Sequence, residues 1–167
     1  LMFLDGITKS LGASNIRNCH LIASESIVRF LVARASHAVI PSFYSMAVAM
    51  AAYDLGYRQA SRSIVEPTNA SRRALAALLP RLGLRAILGQ GYYAFLDVSP
   101  WLRRMGLPDS EPLGRILAEQ HGLAVVPGAF FSPYGGDWIR FSYATPVEAT
   151  IGAAHRLAEA LHALAGA

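Results

Sequence analysis

The sequence predicts a mixed α/β chain whose second half is a small α+β unit. Three observations carry this expectation. Short apolar runs of strand-like composition alternate with stretches of helical length. Turn residues punctuate the strand runs of the second half, at Gly89 and Gly91, Pro127 and Gly128, and Gly135 and Gly136. Thr145, Pro146 and Glu148 spell a helix start, with a capping box and proline at the first helical position. Composition agrees. Of 167 residues, 53% are apolar and 16% charged, against a typical charged share of about 25%. Disorder, which needs low hydrophobicity and high charge, is excluded. So little charge also leaves apolar surface that is expected to be covered by something else.

Taken in order, residues 1–4 form an apolar run that reads as a strand. A strand at the very start is expected of a protein whose N-terminal part is absent here. Residues 6–18 are polar and rich in small side chains, which reads as a loop. Residues 19–23 read as a short buried strand, and residues 26–35 as a helix with Ile27, Phe30 and Leu31 on its apolar face. Residues 41–57 have helical length and are apolar on all sides up to Asp54, which predicts a buried helix. Its Met46, Met50 and Tyr53 are expected in a core or a dimer contact. Pro67 is expected to break the next stretch, with Thr68 or Asn69 capping a helix to about Leu82 and leaving Arg72 and Arg73 exposed. Residues 86–88 and 92–98 read as strands around the Gly89-Gln90-Gly91 turn. Ser110 is expected to cap a helix to about His121. Residues 123–126 and 138–143 read as strands. In the last helix Val147, Ile151, Ala154, Ala158 and Leu161 line one face.

Charge and cysteine narrow the function classes. The net charge of +4 is scattered, and no basic run carries interleaved aromatics, so nucleic acid is not indicated. No run reaches the roughly 18 apolar residues of a membrane span. The single cysteine, Cys19, permits no internal disulfide and fits a reducing, cytoplasmic setting. The histidines show no metal-ligand spacing, so no metal site is expected. Of 15 Lys and Arg residues, only Lys9 is a lysine. Arginine replaces lysine in many surface roles, but its guanidinium is never a neutral nucleophile. The lone amine therefore points to amine chemistry, with a solvated surface lysine as the alternative.

Three basic residues stand in informative places. Lys9 and Arg17 lie eight apart across the polar loop, and Arg140 sits in an apolar strand just after a Gly-rich turn. Hydroxyls, backbone N–H groups and a guanidinium fork at the end of such a loop suit a phosphate. An amine beside that anion site suits a phosphorylated aldehyde cofactor. For Arg17 the alternative is a salt bridge with Asp5 or Glu25. For Arg140 it is an edge-strand arginine facing water.

Residues 6–17, Gly6-Ile7-Thr8-Lys9-Ser10-Leu11-Gly12-Ala13-Ser14-Asn15-Ile16-Arg17, resemble the cofactor-lysine segment of class I/II pyridoxal-phosphate-dependent aminotransferases. These enzymes have the aspartate aminotransferase fold, fold type I. Pro41-Ser42-Phe43-Tyr44-Ser45 and the apolar helix look like the next segment of that family. Gly91-Tyr92-Tyr93-Ala94-Phe95-Leu96-Asp97 resembles its small-domain strand. Residues 126–131 and 138–144 resemble its closing motif.

The resemblance implies the C-terminal part of the PLP-dependent transferase fold: residues 1–62 as the end of the large-domain sheet and residues 63–167 as the small α+β domain. It implies a transaminase that moves an amino group between an amino acid and a 2-oxo acid with pyridoxal 5'-phosphate, as a homodimer. Lys9 becomes the Schiff-base lysine and the group that moves the proton at the substrate α-carbon. Thr8 and Arg17 hold the cofactor phosphate, and Arg140 grips the substrate α-carboxylate. Gly6 departs from the phosphate-binding serine often found there, and Asn15 from a common glycine. The fragment alone is expected to be inactive. Rival readings are a transcription regulator with an aminotransferase-like sensing domain, or another fold-type-I reaction on the same cofactor.

Overall fold

A two-stranded antiparallel hairpin opens the chain, with β1 (Phe3–Gly6) against β2 (Cys19–Ile22). The computed structural model describes residues 1–35 and 42–166. The chain divides into two compact units, Leu1–Glu66 and Pro67–Ala167.

In the first unit the segment read as a loop begins with one helical turn, α1 (Ile7–Ser10), anchored by Ile7 at 1% exposure. A single turn shows no 3.6-residue pattern, so polar composition concealed it. The strand expected to be buried, β2, has no buried residue: Cys19 and Ile22 are exposed, and His20 and Leu21 are half-buried. The helix α2 (Glu25–Val32) follows, with Phe30 and Leu31 exposed. The apolar helix is α3 (Phe43–Leu55); Pro41, at its expected start, and His37 lie outside the described residues. Burial was expected for α3, yet only Ser45, Ala49 and Ala52 are buried. Phe43 and Tyr44 stand 79% and 78% exposed. The described residues of this unit leave most of this all-apolar helix uncovered.

The next helix, α4 (Tyr57–Leu78), contains Pro67 and is followed by a 3-10 turn at Leu79–Leu82. Pro67 therefore does not break the helix. It removes one N–H donor from the ladder, and the division between units falls at that residue. Arg72, expected to be exposed, is half-buried and donates from Nε to Gly89 O at 2.8 Å.

In the second unit, β3 (Ala86–Leu88), β4 (Tyr93–Asp97), β5 (Val126–Pro127) and β6 (Trp138–Ser142) form one antiparallel sheet of order β3-β4-β6-β5. Period two sorts the side chains. Ala94, Leu96, Ile139 and Phe141 face the core. Tyr93, Phe95, Trp138 and Arg140 share the other face and are half-buried. The core face packs on α5 (Ser99–Met105), α6 (Ser110–His121) and α7 (Val147–Gly166). On α7, Ala154, Leu157, Ala158 and Leu161 are buried at i, i+3, i+4 and i+7, the stripe of a helix packed on one side.

Two local readings are corrected. Helix α5 was not expected. Just before its start, Asp97 Oδ1 accepts the N–H of its first residue, Ser99, at 2.9 Å, and its end is Gly106 at φ 66. The cap of α6 is Asp109 rather than Ser110, with Oδ1 accepting from Glu111 N at 2.7 Å. Ser110 is buried and serves the following loop instead. Its N–H donates to Gly136 O at 2.8 Å, and its Oγ accepts from Gly128 N at 3.1 Å. That loop closes where Gly128 and Gly135 meet backbone to backbone. A Cβ on Gly128 would lie 2.3 Å from Gly135 O, closer than any side chain allows.

Candidate active site

The hairpin register brings three of the four expected site residues onto one connection. Gly6 pairs with Cys19, so residues 7–18 form a closed loop carrying Thr8, Lys9 and Arg17. Thr8 is half-buried, and Lys9 is exposed in the last turn of α1. The chain turns back at Gly12, whose φ of +62 is the left-handed region that favours glycine. A Cβ there would also lie 2.7 Å from Ile64 Cδ1. Arg17 is exposed, and its Nη1 makes a long 3.4 Å contact to Ser14 O. The two acids that could have neutralised it are committed elsewhere. Asp5 Oδ2 accepts from Tyr57 OH at 2.9 Å, and Glu25 pairs with Arg29 one turn on. Among the described residues Arg17 has no ion-pair partner.

Tyr57 and Tyr53 were not expected in the site's support. Their rings stack at 6.3 Å with 16° between planes. Tyr57 bonds Asp5 on β1, and Tyr53 OH bonds His20 Nδ1 on β2 at 2.7 Å. Both strands that carry the loop are thus fastened to the α3–α4 junction. Burial chiefly pushes the Tyr57 phenol above its ordinary value, with the Asp5 carboxylate adding to it and Ser10 opposing. No local sequence pattern signals these pairings, because the partners are 52 and 33 residues apart.

Arg140 belongs to the second unit. Its strand, β6, lies between β4 and β5, so the edge-strand alternative is set aside. Its register partners are Phe95 on β4 and Val126 on β5, neither of which can accept a hydrogen bond through its side chain. The guanidinium carbon lies 4.3 Å from the Tyr93 ring centroid and 4.9 Å from that of Phe131. On the same sheet face Arg85 offers a comparison. It lies 5.6 Å from the Trp138 ring, and its Nε donates to Asp97 Oδ2 at 2.7 Å. One guanidinium of this face is answered by an internal carboxylate. The other, among the described residues, is not.

The Gly89-Gln90-Gly91 turn is structural. Tyr143, fully buried, donates its hydroxyl to Gly91 O at 2.7 Å. Burial pushes that phenol up. Among the described residues no cluster of three or more His, Cys, Asp or Glu is placed to hold a metal ion, and no helix is long and apolar enough to cross a membrane.

Comparison with known proteins defines one class. The fold matches a crystal structure of an aminotransferase from Mycobacterium tuberculosis with a TM-score of 0.81 at 22% identity, over 97% of this chain and 42% of that one. It also matches a single mutant of Thermus thermophilus aspartate aminotransferase with a TM-score of 0.76 at 27% identity, over 95% of this chain and 40% of that one. The family model for aminotransferase class I and II matches residues 1–157; the chain belongs to that family. A relative in Bacillus subtilis (strain 168), "Putative aminotransferase YugH", is 40% identical over 74 residues, 44% of this chain and 18% of that protein. The chain spans about two fifths of the length of the structures it matches.

Proposed function

We propose that this chain carries the cofactor lysine and the substrate-carboxylate arginine of a pyridoxal-phosphate-dependent transaminase. Such an enzyme moves an amino group between an amino acid and a 2-oxo acid. The observation that carries the reading is the closed loop 7–18, which puts on one connection the sole ε-amine of the chain and an arginine that has no acid partner among the described residues. The donor set fits pyridoxal 5'-phosphate: an amine for its aldehyde, and a hydroxyl and a guanidinium fork for its phosphate. When bound, that group supplies an electron-withdrawing ring that stabilises negative charge at the substrate α-carbon.

The chain's own residues divide the work. Lys9 Nζ would be the amine that holds the aldehyde group, and as a free amine it would be the base that takes the proton from the substrate α-carbon. Thr8 Oγ1 and the Arg17 guanidinium hold the phosphate end. Arg140 pairs with the α-carboxylate and so orients the α C–H bond. On this reading residues 1–62 end the large cofactor-binding domain and residues 63–167 form the small domain. The working protein is a homodimer in the cytoplasm.

The test is direct because there is one lysine. The protein is mixed with pyridoxal 5'-phosphate, reduced with borohydride and digested for mass spectrometry. A reduced pyridoxyl group is expected on Lys9, and Lys9→Ala removes it. Modification confined to the N-terminal amine defeats the reading.

A further inference from the structure

We infer that Tyr93 and Phe131 are positioning residues for Arg140, holding its guanidinium ready for a carboxylate. The inference rests on the reading of Arg140 as the carboxylate receptor. An arginine side chain has many rotamers and loses that freedom when it is fixed. Unless something else fixes it, the ligand must do so. Here the guanidinium already lies against two rings, at 4.3 and 4.9 Å from their centroids. The cation is attracted to the negative ring face, and the rings offer no strong acceptor to its N–H fork. The donors thus remain available while the head is held.

The supports of the two rings differ. Tyr93 stands on β4 opposite Ser142, inside the sheet. Phe131 follows the 3-10 turn at Gly128–Phe130 and leans on Phe95, with centroids 5.8 Å apart. Its loop is fixed by the Gly128–Gly135 backbone approach and by Ser110. Arg85 shows the contrasting arrangement, with a more distant ring and its own carboxylate. A lysine at position 140 would lack the planar fork and the stacking surface.

The test uses the full chain labelled with 15N, following the arginine Nε–Hε resonances. The Arg140 signal is assigned by its loss in Arg140→Lys. Sodium propanoate is titrated, with neutral propanamide as the control for shape. The wild type is expected to show a saturable shift at Arg140 with propanoate and none with propanamide. Tyr93→Leu and Phe131→Leu should each weaken propanoate binding roughly three- to tenfold, the range of an exposed to partly desolvated cation–ring contact. Both should also speed rotation about the Arg140 Nε–Cζ bond, which a merely structural role would not do. Tyr93→Phe and Phe131→Tyr keep a ring and should restore both readouts. Trp138→Phe, beside Arg85, should change neither. If a leucine variant fails to fold, the methionine variant at that position takes its place. No wild-type response to propanoate overturns Arg140 as the receptor. Propanoate binding and bond rotation unchanged in the leucine variants overturn the positioning role alone.

Discussion

Asp97 shows how one side chain can join two elements. It sits at the end of β4, 5% exposed. Its Oδ1 accepts the N–H of Ser99, the first residue of α5, and its Oδ2 accepts from Arg85. Burial alone would push the carboxyl up. The Ser99 hydrogen bonds and the Arg85 guanidinium outweigh it and hold the group below its ordinary value. The unfolded state therefore binds the proton more tightly than the folded state. The stabilisation is present above about pH 4, the ordinary aspartate range, and is lost as pH falls through the lower folded value. Thermal unfolding followed from pH 6 downward should show this loss, and Asp97→Asn should flatten it. At neutral pH that variant should cost about 1–2 kcal/mol, discounted because Arg85 is largely exposed. Lys9, Arg17 and Arg140 stood out as candidate site residues because each interrupts a pattern: a sole amine, a guanidinium closing a polar loop, a charge in an apolar strand. Tyr57, Tyr93 and Phe131 interrupt nothing. Aromatic residues beside strands and helices suit any core, and only the fold brings them to their partners.

Elements were legible where they pack on a core within their own unit. Strand β3 and the buried stripe of α7 follow directly from period and punctuation, because the second unit covers its own apolar faces. Short elements escaped. A one-turn helix such as α1 has no periodicity to read, and α5 was hidden although Pro100 and Gly106 bracket it. Helix α4 shows the opposite failure, with a breaker residue overridden by the helix around it. The 128–135 loop allows a sharp test at this scale. Gly128→Ala sets a Cβ 2.3 Å from Gly135 O and 2.7 Å from Trp138 O. Both are backbone atoms that cannot swing aside. Denaturant unfolding should show a loss of about 2 kcal/mol or more. Gly83→Ala, where no atom lies within 4 Å but φ is +69, should cost less, about 1 kcal/mol from backbone strain. Equal losses at the two positions would mean that the Gly128 approach is not the constraint described.

For the molecule as a whole, the expectation that apolar surface needs covering meets a specific location. The large exposed apolar residues gather in the first unit, on residues 1–4, on α2 and on α3. Surface of this extent marks an interaction site or a liability to associate. The chain prepared by itself should bind an apolar dye such as anilinonaphthalene sulfonate and sediment faster as its concentration rises. A monomer that leaves the dye dark would contradict that.

The exposed position of Lys9 on α1 has a practical side. An acylating reagent meets one ε-amine in this protein, so a fluorophore or an isotope-labelled acetyl group can be placed at that single turn without mutagenesis. Protection of the same atom by an added compound then becomes a footprint of occupancy, read from one peptide.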